Sequence, residues 1–198
     1  MASESHASTP LPTFATANLV EPQRAKDRHW HYTNTLCNIN NTKMNFKILA
    51  LDNKNFDSYF ELSDSELTKI GGKRMIVDEN PGFPCRVSLE DAKIGEEVIL
   101  LPFEFHKTES PYQAKGPIFI RKGIKTKELG INEIPIMLNH RLLSYRGYDK
   151  NGFMKTAITE KGDKTKYVIK KIFDNEDIEY IQIHNSSPGC YNCEVRRY

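Results

Sequence analysis

The sequence predicts an α+β protein with a mostly antiparallel sheet, a few short helices and one longer amphipathic helix near the C-terminus. Three observations support this class. Several short segments alternate apolar and polar residues, as strands with one buried face do. Asn151-Gly152 stands between two such segments and favours the tight hairpin turn that joins antiparallel strands. Residues 163–177 carry apolar side chains at helical spacing.

The predicted elements begin just after residue 43. Residues 45–52 alternate apolar and polar side chains and are predicted to form a strand. Residues 55–72 are expected to hold two short helical turns. Ser63 or Asp64 could cap the second turn, and Gly71 is expected to end it.

The middle of the chain predicts three further strands separated by stiff turns. Residues 73–79 and 116–123 are short strands, and residues 80–85 hold two prolines and a glycine, which favour a turn. Residues 96–105 form a near-continuous apolar run, which predicts a strand buried on both faces. Pro102 inside that run indicates a sheet edge or a bulge.

The last third gives the clearest pattern. Residues 131–140 predict a short helix with Pro135 near its first turn. The longer helix places Val168, Ile169 and Ile172, followed by Phe173, on its inward face. Pro188-Gly189 is expected to turn the chain between the last two strands. The strands predicted here are residues 141–149, 153–162, 178–185 and 191–198.

Composition separates an N-terminal extension from a single domain. Residues 1–43 are rich in Ser, Thr, Asn, Ala and Pro without a sustained period, so they are predicted to be disordered. Residues 44–198 are predicted to form one α+β domain. Met44 could itself be the biological start, which leaves open whether the extension belongs to the native protein.

The net charge and the cysteine content limit the cellular compartment and the binding partners that the sequence predicts. A net charge of +2 gives no field strong enough to predict nucleic-acid or anionic-lipid binding. The chain has no apolar run long enough to span a bilayer and no apolar signal core at its N-terminus, so we expect a soluble, cytoplasmic protein. Its four cysteines are then predicted to be reduced thiols.

A first candidate site combines a thiol with an imidazole. Cys85 and Cys190 both follow Pro/Gly turns, which can hold a side chain at a rigid corner. His184 could serve as the base, oriented by Asp149 or Asn185. The alternative interpretation is that His184 simply hydrogen-bonds the backbone of a turn.

The same residues could form a metal or redox site. His184, Cys190 and Cys193, with Cys85 as a distant fourth ligand, form an incomplete zinc pattern. Cys190 and Cys193 lack the following helix whose dipole activates a redox dithiol. They could equally be small apolar residues near a hairpin. The sequence therefore predicts no metal and no cofactor, and it lacks the common phosphate-binding, dinucleotide, zinc-protease and serine-hydrolase motifs.

A second candidate site is a pocket for a small anionic ligand. Arg146 and Tyr148 would share one face of a strand, and a guanidinium binds carboxylate or phosphate through two parallel hydrogen bonds. The alternative for Arg146 is an internal ion pair. The predicted ligand-binding residues are Arg86, Tyr112, Gly116, Pro117, Arg146, Asp149, Asn185 and Gly189.

Four segments carry a family resemblance: PGFPCRVSLEDAKIGEEVILLPFEF, SPYQAKGPIFIRKG, RLLSYRGYD and IHNSSPGCYNCEVRRY. Together they resemble the bacterial domain of unknown function 1203 family over residues 44–198. The family's ending is similar to His184-Asn185 and Pro188-Gly189-Cys190 followed by an aromatic residue. Cys193 falls outside that pattern, which weakens the zinc and redox-dithiol hypotheses, because each needs both cysteines. The resemblance implies no activity and no cofactor.

The sequence thus supports three functional hypotheses. The first is a small-ligand or partner-binding domain whose pocket collects the turns around Cys85, Gly116-Pro117, Arg146 and residues 184–190. The alternative is a thiol-dependent enzyme with Cys190 or Cys85 as nucleophile and His184 as base. The third is a structural interaction module. The sequence does not decide whether the protein is an enzyme or whether it has a protein partner.

Overall fold

The computed structural model describes residues 44–198, which lie in one compact unit. The predicted disordered extension, residues 1–43, lies outside the described residues. No helix in the described part of the chain is long and apolar enough to cross a membrane. Two antiparallel-rich sheets and a few short helices confirm the α+β class. The ten strands are β1 (Phe46–Leu49), β2 (Lys73–Ile76), β3 (Pro84–Cys85), β4 (Glu90–Asp91), β5 (Glu97–His106), β6 (Ala114–Arg121), β7 (Leu142–Tyr148), β8 (Met154–Lys161), β9 (Tyr180–Asn185) and β10 (Tyr191–Arg197).

The strands divide into two five-stranded sheets. Sheet 1 has the order β1-β10-β9-β7-β8 and is antiparallel throughout. Sheet 2 has the order β2-β5-β6-β3-β4 and is antiparallel except where β3 runs parallel to β6. Strands from both ends of the described chain meet in sheet 1, because β1 pairs with β10.

Two α-helices form where capping and periodicity predict them. Helix α1 (Asp64–Lys69) begins after Ser63, whose side chain accepts from the backbone N–H of Glu66 while the Glu66 carboxylate accepts from the backbone N–H of Ser63. Gly71 follows with φ of +77°, a conformation that glycine adopts without a steric penalty. Helix α2 spans Thr165–Phe173. The predicted helix at residues 131–140 is a 3-10 turn at Ile136–Leu138.

Helix α2 covers one face of sheet 1. Val168, Ile169, Ile172 and Phe173 are all buried, which confirms the predicted inward stripe. They pack with the sheet residues Leu143, Tyr145, Ile181, Ile183 and Val195. Each fully buried aliphatic side chain contributes about 1.5–3 kcal/mol, so this layer is a main source of stability. The opposite face of sheet 1 remains available for polar side chains.

Strand β5 is central for only half of its length. It pairs with β2 as far as Leu100, so Pro102 lies beyond the end of that partner. Pro102 faces Pro117 on β6, and the register shifts between Glu104 and His106. The predicted burial on both faces holds through Leu101, beyond which Pro102 is exposed. Pro102 and the register shift therefore both lie in the C-terminal half of β5, which reaches towards sheet 1.

The tips of two hairpins are tied together by side chains. The β7–β8 turn contains Gly152 at φ of +78°, as the Asn-Gly signal predicts. Ser110 in the β5–β6 turn donates its hydroxyl to the Gly152 carbonyl at 2.8 Å. Thr108 in the same turn donates to the Asn151 carbonyl at 3.2 Å. We call this contact the hairpin clasp; it holds the end of β5 over the polar face of sheet 1.

Candidate functional site

The polar face of sheet 1 collects side chains from β7 and β9. Ser144 lies opposite His184 and Arg146 lies opposite Gln182, so these four share one face. Gln182 is fully buried, and its amide donates to the Phe105 carbonyl at 2.9 Å. Sheet 2 thus covers the β9 side of this face, while Ser144 and Arg146 on β7 stay partly exposed. We call the face formed by Ser144, Arg146, Gln182 and His184 the polar floor.

His184 is fully buried in the polar floor, and its surroundings fix its tautomer. Its Nδ1 lies 3.0 Å from the Gly189 carbonyl oxygen, the shorter of two contacts with oxygens that can only accept, so Nδ1 carries the proton of the neutral ring. Its Nε2 lies 3.4 Å from Oε1 of Gln182. The Gln182 amide nitrogen is already bonded to Phe105, which sets the orientation of that amide. Both ring nitrogens thus face oxygen atoms, and neither forms a hydrogen bond with a cysteine sulfur.

The electrostatic surroundings of His184 are positive. Burial lowers the pKa of His184 to about 4, and the charge of Arg146 is the next largest influence in the same direction. His106 and Arg86 lower it further, against the hydrogen bond to Gly189. The imidazole is therefore neutral near pH 7. A neutral imidazole among cations marks an interior that favours negative charge.

Arg146 lacks a carboxylate partner within residues 44–198. Its Nε donates to the Ser144 hydroxyl at 3.3 Å, and no ion pair in this part of the chain includes it. The internal ion pair that is the alternative interpretation of Arg146 is thus not formed among these residues. Burial raises the pKa of Tyr148, and the nearby guanidinium opposes that rise by its charge and a hydrogen bond.

A histidine that no sequence motif marks lies beside this floor. His106 is buried at the end of β5; its Nδ1 donates to the Tyr112 carbonyl at 2.6 Å. Its Nε2 then accepts from the Tyr180 hydroxyl at 2.8 Å. Burial raises the pKa of Tyr180 to about 12, so this hydroxyl stays protonated and able to donate. Tyr148 and Tyr180 stack with ring centroids 5.4 Å apart.

Arg86 is buried against the backbone of Tyr191. It is 1% exposed, and its Nε donates to the Tyr191 carbonyl at 2.7 Å. A second guanidinium nitrogen donates to the Pro84 carbonyl. Burial lowers the pKa of Arg86 to about 10.

The structure brings some predicted site residues together and separates others. Arg146, His184 and Gly189 meet at the polar floor, and Asn185 follows His184 at the end of β9. The Tyr112 ring packs against the Tyr148 ring, with the two centroids 6.2 Å apart, and so lies close to the strand that carries Arg146.

The other predicted residues lie away from the polar floor. Cys85 is fully buried, and its sulfur accepts from the Arg121 backbone N–H at 3.4 Å. Gly116 and Pro117 lie within β6, and a Cβ added at Gly116 would lie 3.3 Å from Cε1 of Phe105. Asp149 accepts two backbone hydrogen bonds within its own hairpin turn and pairs with Lys155 at 3.2 Å. Their functional roles stay predictions.

An open groove of about 880 Å³ lies on a different part of the surface. None of the predicted site residues lines it. Its exposed rim carries Ile94 and Ile136, and its floor includes Asp91, which pairs with Arg141. The residues lining the groove are Asn80, Pro81, Glu90, Asp91, Lys93, Ile94, Ile136, Met137 and His140. Because Asp91 already pairs with Arg141, its carboxylate is not free to bind a cationic ligand.

The described residues contain no group of three or more His, Cys, Asp or Glu side chains arranged to hold a metal ion. The fold is thus an α+β protein of two sheets with a cationic polar floor between hairpins. The chain belongs to the family described as Protein of unknown function (DUF1203), whose model matches residues 82–197. The matched region leaves out β1 and β2, which nevertheless complete the edges of both sheets. Comparisons with curated proteins and with solved structures found no match.

Proposed function

We propose that this protein binds a small anionic ligand at the polar floor, with Arg146 as the principal contact. The observation that supports it is the partly buried Arg146 guanidinium, which forms no ion pair within residues 44–198. A partly desolvated cation is stabilised by a matching anion. A ligand carboxylate or phosphate would supply that charge.

Neighbouring groups support an anion at this position. The Ser144 hydroxyl lies 3.3 Å from Arg146 Nε and can turn to donate to a ligand oxygen. Thr159 lies opposite Ser144 on β8 and is exposed. Behind the floor, the positive surroundings of His184 add attraction for negative charge. The ligand would thus meet one guanidinium fork and two hydroxyl groups.

The thiol-dependent enzyme receives less support from the geometry. Both ring nitrogens of His184 are directed at Gly189 and Gln182, and the ring is fully buried. A base must reach the proton that it removes, so His184 would have to move before it could serve Cys190. The proposed function therefore assigns His184 to the floor of a binding site. A cytoplasmic location belongs to the same proposal.

A thermal-shift screen of anionic metabolites, followed by calorimetry on any hit, tests the proposal. We expect at least one carboxylate or phosphate compound to raise the melting temperature of the full chain. The variant R146Q should lose about tenfold or more in affinity, the usual cost of a charge-assisted hydrogen bond.

The matched control is R196Q on the same sheet face. Arg196 is already paired with Glu194 at 2.8 Å, so its loss should leave affinity within about twofold. If no anion binds, or if R146Q and R196Q weaken binding equally, the proposal is wrong.

A further inference from the structure

Two exposed aromatic side chains lie at the hairpin tips that the hairpin clasp joins. Tyr112 in the β5–β6 turn is 40% exposed, and Phe153 in the β7–β8 turn is 43% exposed. Their ring centroids are 6.4 Å apart, and the ring planes meet at 79°. Exposed aromatic rings that contact each other in this way give a ligand a large apolar contact area.

The strand register places these rings near Arg146. Tyr148 follows Arg146 by two residues on β7, so the two side chains share the face of the polar floor. Two residues along a strand span about 7 Å. The Tyr112 ring packs against the Tyr148 ring at 75°, with the centroids 6.2 Å apart. One small molecule can therefore reach both the Arg146 guanidinium and the Tyr112 ring.

The β8 side of the polar floor leaves room for a flat ligand. Tyr112 lies towards β8, because it contacts Phe153, the residue just before that strand. Ala157 of β8 lies opposite Arg146, so its side chain is on the same face. Ala157 is exposed, and its side chain is only a methyl group. A planar ring can thus lie over Ala157, with the guanidinium near one end and the Tyr112 ring near the other.

The backbone of the β5–β6 turn holds Tyr112 in place. Its carbonyl accepts from His106 Nδ1 at 2.6 Å, and its backbone N–H donates to the Ser110 hydroxyl at 3.2 Å. Ser110 also forms the hairpin clasp with Gly152. An aromatic ring on a turn that is already ordered loses little conformational entropy when a ligand binds. Because both bonds of Tyr112 use backbone atoms, the ring can be replaced without removing them.

We propose that the ligand of the polar floor is an aromatic monocarboxylate, with its carboxylate on Arg146 and its ring packed on Tyr112 beside Phe153. This inference rests on the proposed function and names the class of ligand. One guanidinium without an ion pair among residues 44–198 matches a single ligand charge. A phosphate monoester carries about −1.5 to −2 at pH 7 and would need a further cation. Contacts between aromatic rings add affinity beyond the area that they bury.

Titration of the full chain with matched compounds, followed by NMR, tests the ring and the charge separately. The compounds are phenylacetate, cyclohexylacetate, acetate and the neutral phenylacetamide. We expect phenylacetate to bind about tenfold or more tightly than acetate and about threefold or more tightly than cyclohexylacetate. Phenylacetamide should bind about tenfold or more weakly than phenylacetate, because it lacks the charge. Equal affinities for phenylacetate and cyclohexylacetate overturn the inference.

Variants then identify the ring responsible. Y112L keeps an apolar side chain but removes the ring, so its affinity for phenylacetate should fall about threefold or more, while its affinity for acetate stays within about twofold. Y112F keeps the ring and should retain the affinity within about twofold. The control is Y167L, since Tyr167 is 64% exposed on helix α2, on the opposite face of sheet 1. If Y112L and Y167L bind phenylacetate equally well, the inference is wrong.

Failure of this inference and failure of the proposed function give different results. If all three anions bind equally and R146Q weakens each of them, the anion site at Arg146 stands and the aromatic preference is wrong. If none of these anions binds but a phosphate compound does so through Arg146, this inference alone fails. If R146Q leaves the affinity for every anion unchanged, the proposed function and this inference both fail.

Discussion

His184 donates its Nδ1 proton to the Gly189 carbonyl at 3.0 Å, across the turn that joins the last two strands. This bond fixes the neutral ring at the bottom of the polar floor, with Nε2 towards Gln182. Burial, followed by the charges of Arg146 and Arg86, opposes a second proton. The turn, the floor and the protonation state of His184 are therefore linked.

The first prediction concerns stability at acid pH. Burial lowers the pKa of His184 from 6.5 to about 4, so the unfolded chain binds a proton between these values that the folded chain does not. The stabilising contribution is present above pH 6.5 and is lost as the pH falls towards 4. Between pH 7 and pH 5 this group should lower the free energy of unfolding by about 2 kcal/mol.

Urea unfolding of wild type and H184Q at the two pH values measures that contribution. H184Q should lose about 2 kcal/mol less than wild type between pH 7 and pH 5, whatever its stability at pH 7. The control is S187A, since Ser187 is exposed and has no titratable side chain, so its pH dependence should match that of wild type. Equal pH dependence in wild type and H184Q would contradict the assignment.

The second prediction concerns the hairpin clasp. Ser110 is 6% exposed and donates to the Gly152 carbonyl at 2.8 Å, so S110A leaves a buried carbonyl without its donor. We expect a loss of about 1–2 kcal/mol in chemical denaturation. Ser187 is exposed, and S187A should change stability by less than about 0.5 kcal/mol. A neutral S110A would mean that the two hairpin tips hold together without this bond.

The third prediction concerns the buried histidine of β5. Y180F removes the hydroxyl that donates to His106 Nε2 at 2.8 Å and leaves that nitrogen unsatisfied. The expected cost is about 1–3 kcal/mol of unfolding free energy. Tyr167 is 64% exposed, so Y167F is the matched control and should be nearly neutral. If both variants unfold at the same urea concentration, the His106–Tyr180 bond contributes no net stability.

Local signals in the sequence predicted the elements well, whereas their partners depend on distant residues. The Asn-Gly hairpin, the Ser63 cap and the α2 stripe each follow from neighbours within one turn or one hairpin. The division into two sheets does not, because β1 pairs with β10 and the two-residue β3 runs parallel to β6. Such pairings are settled by long-range packing that a single local pattern does not encode.

The candidate site likewise depends on contacts between residues that are far apart in the sequence, which local patterns do not predict. The alternation along β7 placed Arg146 and Tyr148 on one face of a strand, but only the register shows that Arg146 and His184 share one floor. His106 meets Tyr180 from 74 residues away, and no motif marks that contact. The burial of Arg86 was equally hidden, because an arginine after a Pro/Gly turn is usually exposed.

The fourth prediction concerns the packing of α2 on sheet 1. Gly147 lies in β7 beneath the helix, and a Cβ at this position would lie 2.9 Å from Thr156 Cγ2, 3.0 Å from Ile172 Cγ2 and 3.2 Å from Ile178 Cδ1. G147A should therefore cost about 1–3 kcal/mol through overpacking. I172A should cost about 2–5 kcal/mol through the cavity that it leaves.

The double variant separates close packing from two independent effects. Shortening Ile172 removes one of the three close contacts with the new methyl group, so G147A/I172A should be about 0.5–1 kcal/mol more stable than the sum of the single losses predicts. The control pair is G147A with I99A, because Ile99 is fully buried but packs in the core of sheet 2. Its two losses should add within about 0.5 kcal/mol. Additive losses in G147A/I172A would show that Gly147 is not required for the approach of α2 to β7.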